Sequence, residues 1–307
     1  MLASTDSATP MAEAALSEDD FTMTLADGRQ LGYCELGDPE GLPLLLFHGT
    51  PGSRKVFSPD DALSQIPGLR LILPDRPGYG LSTPKPNRTL LDWADDVGEL
   101  ADHLGLDRFA ILGISGGGPH ALACAYAIPD RLTATLVLVS PSPTSFPGAT
   151  RGQTFGNRLG GWLGRNTPAL GRWLTNTQRS TFQKDPDGYI QVVARQMAPP
   201  DQKILEDEAA RKVLADDFGE AFRQGGDATF EDGLLTVNAS DWGFALDEIP
   251  VPVHLWHGAE DILVTVAMGE FLAQEIPQAQ ARIVPGAGHL ITEVPEVVAE
   301  IREVLGL

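Results

Sequence analysis

The sequence predicts an α/β protein: a mostly parallel sheet of the eight-stranded type, helices on both faces, and a helical lid inserted between two strands. Three observations lead there. Short all-apolar runs alternate with amphipathic helical stretches through the first 140 residues, the rhythm of a parallel sheet covered on both sides. The rhythm breaks at Pro141 for about a hundred residues of helical character and few β-branched runs. It then resumes over Pro250 to Trp256 with VPVHLW.

Taken in order, residues 1–18 contain no Lys or Arg and no sustained apolar core, so they read as a disordered tail and not as a secretory signal. Phe21 to Leu25 and Leu31 to Glu35, joined across Ala26-Asp27-Gly28, read as an antiparallel hairpin. Leu42 to Phe47 and Leu71 to Leu73 are buried strands, the first running into His48-Gly49-Thr50-Pro51-Gly52 and the second into the loop Asp75 to Ser82. Thr89 caps a helix whose apolar positions Leu91, Trp93, Val97, Leu100 and Leu104 keep helical spacing. A strand at Phe109 to Ile114 leads into a helix after Ser115, and Ala134 to Val139 is a further strand. The core therefore comprises 19–141 and 242–307, and the lid 142–241. Beyond the lid, Thr265 to Glu275 is a helix, Ala281 to Val284 the last strand, and Ile291 to Leu305 the closing helix.

Composition excludes several functions. The 307 residues carry a net charge of −20, and only five of the 22 basic residues are lysines. Such a surface repels phosphate backbones and anionic lipid, so no nucleic acid and no membrane is expected as a partner. No apolar run approaches the roughly 18 residues of a membrane span. Cys34 and Cys124 read as free buried thiols, which fits a reducing, cytoplasmic setting. No metal cluster, phosphate loop or dinucleotide fingerprint is present, so no cofactor and no metal is expected.

The chemistry concentrates at Phe109 to Ala121, FAILGISGGGPHA. Ser115 falls on a sharp strand-to-helix corner, where Gly113 and Gly117 must be nearly free of side chain. Its hydroxyl then stands proud at the carboxyl edge of the sheet, with the Gly116 N–H beside it at a helix N-terminus. A serine hydroxyl needs an imidazole to take its proton, and the imidazole needs a carboxylate to fix its tautomer. Two loops at later strand ends carry such groups: His257-Gly258-Ala259-Glu260-Asp261 and Pro285-Gly286-Ala287-Gly288-His289. Of the six histidines, His48 reads as a brace for its own turn, and His103 and His120 lie on helices. His254 and His257 sit three apart on a strand, on opposite faces. His289 remains as the general base.

These motifs resemble the α/β-hydrolase family in its lidded, esterase-like form. The resemblance rests on the elbow Gly113 to Gly117, HGTPG at His48 to Gly52, DRPGYGLS at Asp75 to Ser82, HGAED around Asp261 and GAGH around His289, in the order Ser, acid, His. It implies Ser115 as nucleophile, His289 as base, Asp261 rather than Glu260 as the orienting acid, and the N–H groups of Thr50 and Gly116 as the oxyanion hole. Dehalogenase and epoxide hydrolase relatives use an aspartate nucleophile, which Ser115 argues against; proline iminopeptidases show HGGPG where this chain has HGTPG. The expected activity is hydrolysis of a small or medium, uncharged carboxylic ester through an acyl-enzyme, by a monomer or homodimer acting on a small-molecule substrate. A peptidase, lactonase, C–C hydrolase or perhydrolase uses the same triad, and a non-catalytic receptor would keep only the fold. In the lid, the stripe of Leu159, Trp162, Leu163, Leu170, Trp173 and Leu174 is expected either to dock the lid or, through Trp162 and Trp173, to line an acyl pocket.

Overall fold

The computed structural model describes residues 19–146, 148, 151–152, 155–236 and 241–307. The tail predicted for residues 1–18 lies outside the described residues. Eight strands form one sheet: β1 (Asp20–Thr24), β2 (Gln30–Gly37), β3 (Leu42–Phe47), β4 (Leu69–Pro74), β5 (Phe109–Ile114), β6 (Leu132–Leu138), β7 (Val253–Gly258) and β8 (Ala279–Val284). Their spatial order is β1-β2-β4-β3-β5-β6-β7-β8. The β1–β2 and β2–β4 pairs are antiparallel and every other pair is parallel.

The apolar runs are continuous because both faces of the sheet are covered. Leu45, Phe47, Ile72 and Ile111 turn to one side, against α1 (Leu91–His103), α2 (Gly118–Ala127) and α9 (Val266–Glu275). Leu44, Leu46, Leu71, Leu73 and Leu112 turn to the other, against α10 (Pro295–Leu305) and Phe57, Leu63 and Ile66. Alternate residues of one run thus feed two separate cores. At the start of α1, Asp92 N donates to Thr89 Oγ1 at 3.3 Å and Thr89 N to Asp92 Oδ2 at 2.6 Å, a reciprocal cap from the predicted threonine.

The closing helix begins four residues later than predicted. Pro295 has no N–H to give and holds Val294 in extended conformation, so Ile291–Glu293 forms only a single 3-10 turn before α10 starts.

Between β6 and β7 the described residues form six α-helices: α3 (Phe155–Asn166), α4 (Pro168–Lys184), α5 (Pro186–Ala194), α6 (Pro199–Ile204), α7 (Glu208–Ala221) and α8 (Asp227–Leu235). This insertion has a small core of its own, Phe182, Ile190, Phe218 and Phe222. Of the predicted apolar stripe only Leu163 is half-buried. Leu159, Leu170 and Leu174 are exposed, and Trp162 and Trp173 are 54% and 61% exposed. Helix α4 packs instead through Gly171, which lies against the ring of Phe230 on α8, and through Phe182. Trp173 stands two residues, about 200°, around the helix from Gly171 and so points away from that contact.

Candidate active site

Strand β5 delivers Ser115 to the carboxyl edge of the sheet with φ +51°, a left-handed conformation that few non-glycine residues adopt. The turn is tight enough that a Cβ on Gly113 would collide with the Gly117 carbonyl, and one on Gly117 with the Phe47 carbonyl of β3. Both glycines are therefore required by close approach of backbone, as the corner predicts.

Three predicted residues come together here. His289 Nε2 lies 3.0 Å from Ser115 Oγ, and His289 Nδ1 lies 2.7 Å from Asp261 Oδ2. Asp261 is buried and aimed: its other oxygen accepts from Leu263 N at 2.8 Å and Val264 N at 3.0 Å. The neighbouring Glu260 is exposed. His257 Nε2 pairs with the Val264 carbonyl at 2.8 Å, bracing the loop that carries Asp261.

The electrostatics match this arrangement. Burial disfavours the imidazolium of His289, but the charge and hydrogen bond of Asp261, with a further contribution from Asp201, outweigh it and raise the pKa above the usual histidine value. His48 and His120 go the other way. Burial, reinforced by the Arg76 charge, holds His48 well below the usual range and His120 down to about 3. Both are structural neutral rings: His48 Nδ1 meets Gly49 O at 2.8 Å while its Nε2 accepts from Arg76 N at 3.1 Å, and His120 Nδ1 meets Gly116 O at 2.9 Å. Such a site can pass a proton from a hydroxyl to an imidazole whose cation is held by a carboxylate.

The loop after β3 lies over the corner. A Cβ on Gly116 would run into the Thr50 side chain, with Thr50 N close behind it. Among the described residues, the Thr50 amide donates to no other group. The geometry does not bring Trp162 and Trp173 into an enclosed wall; both indoles lie on open surface of the insertion. Among the described residues, no three His, Cys, Asp or Glu side chains are grouped to hold a metal ion.

Sequence reasoning missed a buried polar layer beneath and beside the site. Arg76, in the loop after β4, donates to the His48 carbonyl and to Gly49 O at 2.9 Å, taking up the carbonyls of the Thr50 loop. Asp75 binds Arg54 N at 2.7 Å and Leu81 N at 2.9 Å. Three acids from the insertion reach loops at this edge of the sheet. Asp232 of α8, fully buried, pairs with Arg76 at 2.6 Å and Arg88 at 3.1 Å and accepts from Thr50 Oγ1 at 2.8 Å. Burial pushes its carboxyl up, yet the charges of Arg76 and Arg88 and the Arg76 hydrogen bond outweigh this and hold it far below the usual range. Asp217 of α7 accepts from Ser53 N at 2.6 Å and Ser53 Oγ at 2.8 Å. Asp201 of α6 accepts from His289 N at 3.0 Å and Leu290 N at 2.8 Å. The available signal was on the partner side: a Cβ on Gly288 would strike the Asp201 carboxylate, so the small residue before His289 makes room for the insertion.

Comparison with known proteins agrees with this architecture. The family model described as alpha/beta hydrolase fold matches residues 43–295, and the chain belongs to that family. It is 30% identical over 256 residues, 80% of this chain and 90% of the relative, to a pimeloyl-[acyl-carrier protein] methyl ester esterase of Aromatoleum aromaticum. A proline iminopeptidase of Xylella fastidiosa is 34% identical, but over 116 residues, 35% of each chain. Among solved structures, an esterase from Rhodococcus sp. ECU1013 superposes with TM-score 0.67 at 21% identity, covering 94% of this chain and 98% of that one. The protein is thus an α/β hydrolase with esterase relatives. Among the described residues, no helix is long and apolar enough to cross a membrane.

Proposed function

We propose that this hydrolase cleaves a small or medium, uncharged carboxylic ester through a serine acyl-enzyme. The observation that carries the reading is the unbroken relay from Ser115 Oγ through His289 to Asp261, at 3.0 and 2.7 Å. Ser115 attacks the carbonyl while His289 Nε2 takes its proton, and Asp261 keeps the Nδ1–H tautomer and steadies the cation. The amides of Thr50 and Gly116 receive the oxyanion; one such donor is worth about 3 kcal/mol of barrier. His289 then returns the proton to the leaving alcohol, and a water activated by the same imidazole releases the acid.

Esterase chemistry is favoured over peptidase chemistry because the ester-cleaving relative matches across nearly its whole length, whereas the iminopeptidase match covers a third of the chain. The net charge of −20 favours an uncharged substrate over an anionic one. In the proposed architecture the helices between β6 and β7 act as the lid. The test is hydrolysis of p-nitrophenyl acetate and butyrate by the wild type and by Ser115→Ala. Turnover that disappears with the hydroxyl supports the reading; wild-type inactivity across esters, lactones and amides would favour a receptor.

A further inference from the structure

We propose that Asp201, delivered from helix α6 of the insertion, is a positioning residue for His289, so that the insertion is a working part of the site and not only its cover. The inference rests on the hydrolase reading above and adds a third carboxylate to it.

The geometry is specific. Asp201 is 1% exposed, and its two oxygens take two successive amides, His289 N at 3.0 Å and Leu290 N at 2.8 Å, across some 88 residues of chain. Among the described residues it forms no ion pair with Lys, Arg or His, so a buried carboxylate is held by neutral donors alone. Burying a charge in that way is costly, and the two amide bonds are what offset the cost here. Two bonds to adjacent amides fix both the position and the tilt of the peptide that carries the imidazole. Beside this grip, Leu290 and Leu263, the latter two residues after Asp261, both pack against the insertion's cluster of Ala194, Met197 and Leu205. The same small cluster therefore touches the loops of both the base and its acid.

The carboxylate also acts through its charge. The groups facing His289 are Asp261 from the loop after β7, Ser115 from the corner, His257 from β7 itself and Asp201 from α6. Burial keeps His257 neutral, so the two aspartates are the charges that favour the imidazolium formed during reaction.

The test is Asp201→Asn, which keeps one amide acceptor, loses the other and removes the charge. The His289 ring is titrated by NMR in a Ser115→Ala background, and kcat/KM against pH is measured with Ser115 intact. Asp201→Asn should move the His289 titration and the acid limb of kcat/KM together toward lower pH, and reduce the plateau about 10- to 100-fold, the scale of a displaced catalytic group. A role confined to folding would lower the melting temperature and leave both pH positions where they were, and that result overturns the proposal. If Asp201→Asn lacks the native circular dichroism, Asp201→Ser, with a smaller neutral acceptor, is read in the same two ways. A shifted titration in a protein that hydrolyses no ester would sink the esterase reading and leave the Asp201–His289 coupling standing.

Discussion

Thr50 Oγ1 donates to Asp232 Oδ2 at 2.8 Å, joining the loop after β3 to helix α8 across 182 residues of chain. Arg76 binds the same Asp232 oxygen and the carbonyls of His48 and Gly49. One buried carboxylate thus holds the Thr50 side chain, and one buried guanidinium holds the carbonyls of the two peptides that lead into Thr50. On the far side, His120 stands 3.7 Å from Asp232 and caps the Gly116 carbonyl. The Thr50 amide therefore shares its peptide with a carbonyl held by Arg76, and Gly116 is held through its own carbonyl by His120.

Thr50→Val removes the hydroxyl and keeps the shape, and Asp232 retains both arginines. We expect kcat to fall about 10- to 100-fold with KM little changed, since a misdirected oxyanion donor acts on the transition state and not on substrate binding. Thr50→Ser, which keeps the hydroxyl, should restore most of the rate. Steady-state kinetics on one p-nitrophenyl ester distinguishes the two; equal losses in both variants would mean that packing, not the bond to Asp232, sets the loop.

The pH dependence follows from His289. Its pKa is raised above the usual value of about 6.5, chiefly because Asp261 overcomes the opposing effect of burial. The base must be neutral to accept a proton, so the rate should fall as pH drops through a point above 6.5. The stability contribution runs in the opposite sense. The charged ring is favoured in the fold, so its stabilisation is complete below the unfolded pKa and is lost as pH rises through the folded one. Profiles of kcat/KM and melting temperature on the same buffers check both signs.

Asp217 supplies a second pH signature. Burial pushes its carboxyl up to about 7, even though Ser53 donates two hydrogen bonds to the charged form. A carboxyl with a raised folded pKa stabilises the fold below the unfolded pKa of about 4 and loses that contribution as pH rises through 7. Asp217→Asn should be neutral or destabilising at pH 5 and relatively stabilising at pH 8. Thermal melts at the two pH values give the comparison, and an equal shift at both would refute the assignment.

Much of this was readable from the chain. The strand Leu42–Phe47 has the predicted bounds, because an all-apolar run ended by His-Gly is unambiguous when both faces are buried. The Ser115 corner was legible because its two glycines are demanded locally, within five residues. The convergence of His289 and Asp261 followed from a rule about strand ends, since both loops leave the carboxyl edge of neighbouring strands. Tertiary pairing without such a rule was not legible. Asp201 opens a helix behind two prolines and reads like any acidic residue placed to suit a helix dipole. Asp217 and Asp232 read as polar positions on amphipathic helices, because nothing local marks an acid whose partners are 164 or 182 residues away. Trp162 and Trp173 misled in the opposite direction: the apolar stripe was visible, but the faces that pack were chosen by Gly171 and Phe182.

The central claim is that the Ser115 hydroxyl, activated by His289, is the nucleophile. The most direct measurement is mass spectrometry after treatment with a p-nitrophenyl phosphonate, which traps an activated serine. One adduct on the peptide bearing Ser115 is expected, absent in Ser115→Ala and formed far more slowly in His289→Gln. Labelling of another residue at an undiminished rate in Ser115→Ala would contradict the account.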